Sequence, residues 1–217
     1  MERFEQLSDG IGVFTTTSHT FGADALRLAE FVPHGVRQVC EFGTGCGVIA
    51  VLLASRDPAV QVTALDIQEQ AVALATRGVS HSGLEDRVTV LTADWRFAPL
   101  APASFDTVVC NPPYFPPATG GVSADPARRI ARHEESAAAF DELCVAAAKL
   151  LTHGGLFLFC HRPERLCDLF ISLRAAGLEP KRLQAVQHDA NAAPFLLLCE
   201  ARKGARAGLV FEPSFVG

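Results

Sequence analysis

Arg37-Gln38-Val39-Cys40-Glu41-Phe42-Gly43-Thr44-Gly45-Cys46-Gly47 is the stretch from which the fold can be read. Its first six residues form a short β-rich run, its last five place glycine at every second position, and the apolar Val48 to Ala54 follows. Three alternate glycines permit a tight turn with positive φ, and backbone that carries no side chains lets a ligand lie directly on it. The spacing is Gly-x-Gly-x-Gly, distinct from the G-x-G-x-x-G of dinucleotide binders. A glycine loop also serves strand-to-helix packing with no ligand, so the surrounding sequence has to decide between the two.

From Val36 onward, β-rich runs alternate with helical ones, and no linker, low-complexity tract or repeat divides the chain. This predicts one α/β domain over 36–217, preceded by an N-terminal cap segment over 1–35. Strands are expected at Arg37 to Phe42, Val60 to Asp66, Arg87 to Thr92, Phe105 to Cys110, Gly155 to Cys160, Lys181 to Gln187 and Pro194 to Ala201. The first five are near-continuously apolar, as parallel strands covered on both faces must be. The last two are separated only by His188 to Ala193, too short for a crossover, and predict an antiparallel hairpin at one sheet edge. Helices are expected at Asp24 to Phe31, Gly45 to Ser55, Gln68 to Ser80, Ser136 to Leu151 and Pro163 to Ala176, with His153-Gly154-Gly155 ending the fourth. Gly12 to Phe21 reads as extended, and Gly204 to Gly217 as either an ordered extension or a tail.

Composition narrows the class. Of 217 residues, 49% are apolar and 20% charged, enough to build a substantial core and unlike a disordered or fibrous chain. No apolar run approaches the roughly 20 residues of a membrane span, and the N-terminus lacks a secretory pattern. Seven cysteines stand singly, without a Cys-x-x-Cys pair, which predicts reduced core thiols, no metal site and a cytoplasmic protein. The net charge of -5 argues against indiscriminate nucleic-acid binding. It is unevenly spread: residues 1–127 carry 7 Lys/Arg against 14 Asp/Glu, whereas 128–217 carry 12 against 10. A local basic patch in the second half is therefore expected.

The second predicted strand ends at Asp66-Ile67, where a carboxylate suits both hydroxyls of a ribose, and the third runs to Asp94-Trp95. A glycine loop followed by acids after the next two strands describes a pocket for a nucleoside joined to an amino acid. Asp66 and Asp94 also suit N-caps and turns. The arrangement resembles class I S-adenosylmethionine-dependent methyltransferases. The resemblance implies a Rossmann-like, mostly parallel seven-stranded sheet with an antiparallel C-terminal hairpin and helices on both faces. It also implies S-adenosylmethionine as cofactor, held by Glu41 near the methionine ammonium, Gly43, Thr44 and Gly45 under the methionine moiety, Asp66 and Ile67 at the ribose, Asp94 and Trp95 at the adenine, and Asn111.

The fourth predicted strand ends in Asn111-Pro112-Pro113-Tyr114, which holds the sole tyrosine. An exocyclic amine or amide nitrogen is a poor nucleophile because its lone pair is delocalised. A site that methylates it must accept both of its N–H bonds and hold it in line with the methyl group. Asn111 offers its side-chain oxygen and Pro112 its carbonyl, two successive prolines fix the geometry, and Tyr114 stacks on the planar group. No strong base is required. Adenine-N6, cytosine-N4 and glutamine-Nδ methyltransferases share the motif, which selects the type of nitrogen and leaves the substrate open.

The flanking segments, Cys110 to Pro116, Ile130-Ala131-Arg132-His133-Glu134, His161 to Leu166 and Leu178 to Arg182, together with Phe21 to Ala25, look like the bacterial enzymes that methylate adenine N6 in valine tRNA, beside the anticodon on its 3′ side. That resemblance implies the tRNA anticodon loop as partner, gripped by Tyr114, Phe115, Arg129, Arg132, His133, His161 and Arg162. Lys181, Arg182, Arg202, Lys203 and Arg206 would extend the positive surface. The plainer account is solvated arginines, with Arg162 or Arg165 paired to Glu164 or Asp168. Three other functions stay open: a protein-glutamine N5-methyltransferase, a ribosomal RNA guanine-N2 methyltransferase, and an RNA-binding protein with a vestigial fold. So does the choice between monomer and homodimer.

Overall fold

The computed structural model describes residues 2–112 and 137–217. Strands β1 (Arg3–Ser8) and β2 (Ile11–Thr15) form a separate antiparallel hairpin, followed by α1 (Ala23–Phe31). Then come β3 (Gln38–Phe42), α2 (Val48–Arg56), β4 (Gln61–Asp66), α3 (Glu69–His81), β5 (Val88–Thr92) and β6 (Phe105–Cys110). The second half contains α4 (Ala137–Leu150), β7 (Leu151–His161), a 3-10 turn at Pro163–Arg165, α5 (Leu166–Ala175), β8 (Leu178–Gln187), β9 (Leu196–Lys203) and β10 (Val210–Val216).

The main sheet has eight strands in the order β10-β8-β9-β7-β6-β3-β4-β5, one more than the seven expected. The addition is β10, which lies parallel to β8 and makes the C-terminal segment an ordered edge strand. The β8–β9 pair is antiparallel as expected, but β10 covers its outer edge, and β9 lies inside against β7. β7 begins earlier than the glycines at 154 and 155 suggested. Leu151 already pairs with Phe105, and an irregularity takes up the intervening residues before Thr107 meets Leu156. A Gly-Gly pair thus marks a distortion within a strand as well as a helix stop.

Side chains alternate across the sheet and build two cores. Val39, Val62, Val109, Leu158 and Cys160 face α1, α2 and α3 on one side. Cys40, Phe42, Val108, Cys110, Phe157 and Phe159 face α4 and α5 on the other. Burial on both faces explains why these strands read as continuous apolar runs. Helix α2 starts at Val48 because Gly45 and Gly47, at φ of 56° and 84°, hold left-handed conformations outside a helix. Six cysteines are buried as expected, whereas Cys167 is exposed on α5 because it lies away from that helix's core contacts Leu169 and Leu173. The β1–β2 hairpin packs on α3, and α1 packs on α2, β7 and β9.

Candidate active site at the carboxyl edge of the sheet

β3, β4, β5 and β6 run parallel, so their carboxyl ends open on one edge. Leaving β3, Gly43 and Gly45 have φ of 67° and 56°, and a Cβ on either would meet no atom within 4 Å. Gly43 is exposed and Gly45 half-buried. These two glycines therefore present open backbone to the cleft, whereas Gly47 presses on α3, where a Cβ would fall 2.9 Å from Ala75 Cβ. Cys46 points into the core, where burial raises its thiol pKa to about 11.

Glu41 and Thr44 lie beneath the loop. Thr44 Oγ1 donates to Glu41 Oε2 at 2.8 Å, and both residues are buried. Burial raises the Glu41 carboxyl to about 8, against the opposing hydrogen bonds from Thr44 and the Ala50 N–H. Asp66 accepts from Gly45 N–H at 2.8 Å on one oxygen and from Gln68 N–H at 2.9 Å on the other. It ties the loop to the start of α3, so its turn role is real. A carboxylate has about four acceptor positions, which leaves capacity for hydroxyl donors. Ile67 follows it and is 45% exposed, an apolar surface set at a polar rim.

Beyond β5, Asp94 is clasped by Arg96 through Nε at 2.9 Å and Nη2 at 2.5 Å, and this guanidinium holds its carboxyl below the usual range. The Trp95 ring stacks on Phe42 with centroids 5.8 Å apart. Gly43 and Gly45 after β3, Ile67 after β4 and Trp95 after β5 thus follow the carboxyl ends of three neighbouring parallel strands.

Phe42 pairs with Cys110, so Asn111 emerges beside Gly43. The parity of Val109 carries to Asn111 and turns its side chain toward the α1 face. There Asn111 Nδ2 donates to Asp24 Oδ2 at 3.2 Å, and Cys160 Sγ donates to Asn111 Oδ1 at 3.1 Å. Pro112 is half-buried beside it. Sequence reasoning quoted Asp24 as a helix start and Cys160 as a strand end but gave neither a place at this site. The parity of the two strands was the available signal. A further tie comes from His19, whose Nε2 lies 3.3 Å from Gln68 Oε1 and joins the segment before α1 to the Asp66 turn.

Pro113, Tyr114, Phe115, Arg129, Arg132 and His133 lie outside the described residues. His161 ends β7, where its Nδ1 accepts from Arg162 N–H at 2.8 Å and burial lowers its pKa to about 4. Arg162 donates to the Phe195 carbonyl, and Arg165 pairs with Asp168 as the plainer account expected. Part of the anticipated basic surface is spent on backbone. Lys181 binds the Arg206 carbonyl, Lys203 the Leu151 carbonyl and Arg182 the Phe31 carbonyl. Among the described residues no group of three or more metal-ligating side chains gathers, and no helix is long and apolar enough to cross a membrane.

Sheet and site together define a chain of the class I methyltransferase type. The crystal structure of a predicted O-methyltransferase from Agrobacterium tumefaciens matches 89% of this chain and 86% of its own at a TM-score of 0.71 with 20% identity. The geranyl diphosphate C-methyltransferase of Streptomyces coelicolor, solved with S-adenosyl-L-homocysteine, matches 83% and 77% at 0.62 with 12% identity. Residues 6–166 match the methyltransferase small domain, and the chain belongs to that family. Relatives named tRNA1(Val) (adenine(37)-N6)-methyltransferase from Citrobacter koseri, Salmonella arizonae and Vibrio parahaemolyticus are 34%, 36% and 36% identical over 63%, 69% and 76% of the chain. These matches span 56%, 60% and 67% of the relatives' own lengths.

Proposed function

We propose that this protein is an S-adenosylmethionine-dependent N-methyltransferase that modifies adenine N6 at position 37 of tRNA1(Val), the activity in its relatives' names. The observation that carries the reading is the emergence of Asn111 from the carboxyl end of β6 beside Gly43, with its half-buried carboxamide held between Asp24 and Cys160. Bound S-adenosylmethionine supplies a methyl group activated by its sulfonium. Gly43, Gly45, Asp66, Ile67, Asp94 and Trp95 hold it, and Glu41 braces the loop from below through Thr44. Asn111 Oδ1 and the Pro112 carbonyl accept the two N–H bonds of the adenine amine, which turns its lone pair toward the methyl group. The amine proton then passes to solvent, and alignment does most of the catalytic work. Tyr114, Phe115, Arg129, Arg132, His133, His161 and Arg162 face the anticodon loop in this reading, in a cytoplasmic enzyme.

The test is methyl transfer to unmodified valine tRNA, to the same tRNA with guanosine in place of the target adenine, and to a release-factor peptide. Labelling of the first alone is expected. Equal labelling of both tRNAs defeats the adenine assignment, and labelling of the peptide alone moves the substrate to glutamine.

A further inference from the structure

The Asn111 carboxamide is held at both of its polar atoms by residues from distant parts of the chain. Asp24, on the first turn of α1, accepts from Nδ2 at 3.2 Å, and Cys160, near the end of β7, donates to Oδ1 at 3.1 Å. The Asp24 carboxylate is itself seated closely. A Cβ added at Gly22 would fall 2.6 Å from Asp24 Oδ1. Gly22 has φ of -113° and ψ of -178°, an extended conformation open to any residue, so glycine there serves space rather than backbone geometry.

A carboxamide can be rotated by half a turn with almost no change of shape, and the two orientations are chemical opposites toward an amine. With the oxygen forward it accepts an N–H; with the NH2 forward it places donor against donor. A carboxylate accepts only. We propose that Asp24 is the positioning residue that fixes this choice: by taking the Nδ2–H it commits Oδ1 to the substrate amine. Donation to an anion also polarises the carboxamide and enriches Oδ1 in electron density. The thiol of Cys160 is a weak donor that meets Oδ1 from the β7 side. This inference rests on the reading of Asn111 as the acceptor for the amine.

The experiment compares Asp24→Leu, Asp24→Asn, Gly22→Ala and Asn111→Ala with the parent protein. It measures kcat and KM with unmodified valine tRNA, calorimetric affinity for S-adenosylhomocysteine, and the Asn111 side-chain 15NH2 resonance, identified by its loss in Asn111→Ala. Asp24→Leu, of similar size but unable to accept, is expected to lower kcat by about ten- to a hundredfold. It should leave KM and cofactor affinity within about threefold and move the Asn111 resonance. Asp24→Asn, whose oxygen still accepts, should recover most of the rate. Gly22→Ala displaces the carboxylate from the side and should reproduce the loss in kcat in a protein that keeps Asp24.

A parent-like kcat or an unmoved Asn111 resonance in Asp24→Leu overturns the inference, provided Asn111→Ala is inactive. A loss confined to cofactor affinity also overturns it and makes Asp24 a binding residue. If Asn111→Ala itself turns over near the parent rate, the fault lies in the proposed role of Asn111. Should Asp24→Leu not fold, Gly22→Ala and Asp24→Asn carry the same decision.

Discussion

The Thr44 hydroxyl donates to the Glu41 carboxyl oxygen Oε2 across 2.8 Å under the glycine loop, and Glu41 is 1% exposed. Burial makes the charged form costly and raises its pKa to about 8. The unfolded chain loses this proton near pH 4.5, the folded chain only near 8. Between those values the folded state binds the extra proton, so the contribution of Glu41 to stability is complete below 4.5 and declines as pH rises toward 8, by up to about 1.4 kcal/mol per pH unit. Glu41→Gln removes the ionisation and keeps an acceptor for Thr44. The unfolding free energy of the parent relative to Glu41→Gln should fall from pH 5 to 8 and level off above. A difference that is flat across this range would show that Glu41 is ionised in the folded protein.

The glycine loop separates into two functions that mutation can resolve. Gly47, at φ of 84° against Ala75, has neither the conformation nor the room for a side chain. Gly47→Ala should cost roughly 2–4 kcal/mol of stability through left-handed strain and displacement of α3. Gly45 has the strain and open space beyond it. Gly45→Ala should cost about 1–2 kcal/mol and chiefly weaken cofactor binding, because its methyl group enters the cleft. Thermal unfolding and calorimetric titration distinguish the two, and the reverse ranking would place the cofactor on the other side of the loop.

Much of this arrangement was legible in the sequence because it is local. The alternation of strand and helix, the positive-φ glycines and the acids at the strand ends follow from residues within a few positions of each other. What was not legible depends on residues distant in the chain. Asp24 and Asn111 are 87 positions apart and meet because strand parity turns Asn111 toward the α1 face. β10 has no apolar alternation to announce it: Val210 and Phe211 are exposed, and its place is set by backbone pairing with β8. By composition alone, the arginines and lysines of the second half suit a nucleic-acid surface or a solvated one equally. Lys181, Arg182 and Lys203 turned out to bind carbonyl oxygens, whose positions composition does not reveal.

Trp95 is the protein's one tryptophan and stacks on Phe42, beside the Asp94 turn. If adenine lies against this indole, its arrival changes the ring's surroundings, so titration with S-adenosylhomocysteine should alter tryptophan emission with the same midpoint as calorimetry. Trp95→Phe should abolish the signal and keep most of the affinity. Trp95→Ala should lose about 0.5–1.5 kcal/mol of binding, the range for an aromatic pair. Calorimetric saturation without any change in emission would place the adenine elsewhere.

His161 stands at the end of β7, and its behaviour toward acid can be set out from its surroundings. Burial first, then the Arg165 charge, lowers its pKa to about 4, and Nδ1 accepts the Arg162 N–H. The imidazole is therefore neutral near pH 7, with its proton on Nε2. Below about 6.5 the unfolded chain takes up a proton that the folded one refuses until about 4, so this group lowers stability as pH falls through that window and has no effect above it. His161→Phe should remove that dependence, and the difference between parent and variant should become independent of pH above 7. A neutral ring also neutralises no phosphate. If His161 touches RNA, His161→Phe should weaken binding by the same factor at low and moderate salt, because only charged contacts alter the salt slope. A shallower salt dependence in the variant, or a His161 titration near 6.5 by NMR, would show that the ring is charged and solvated where the structure has it half-buried and neutral.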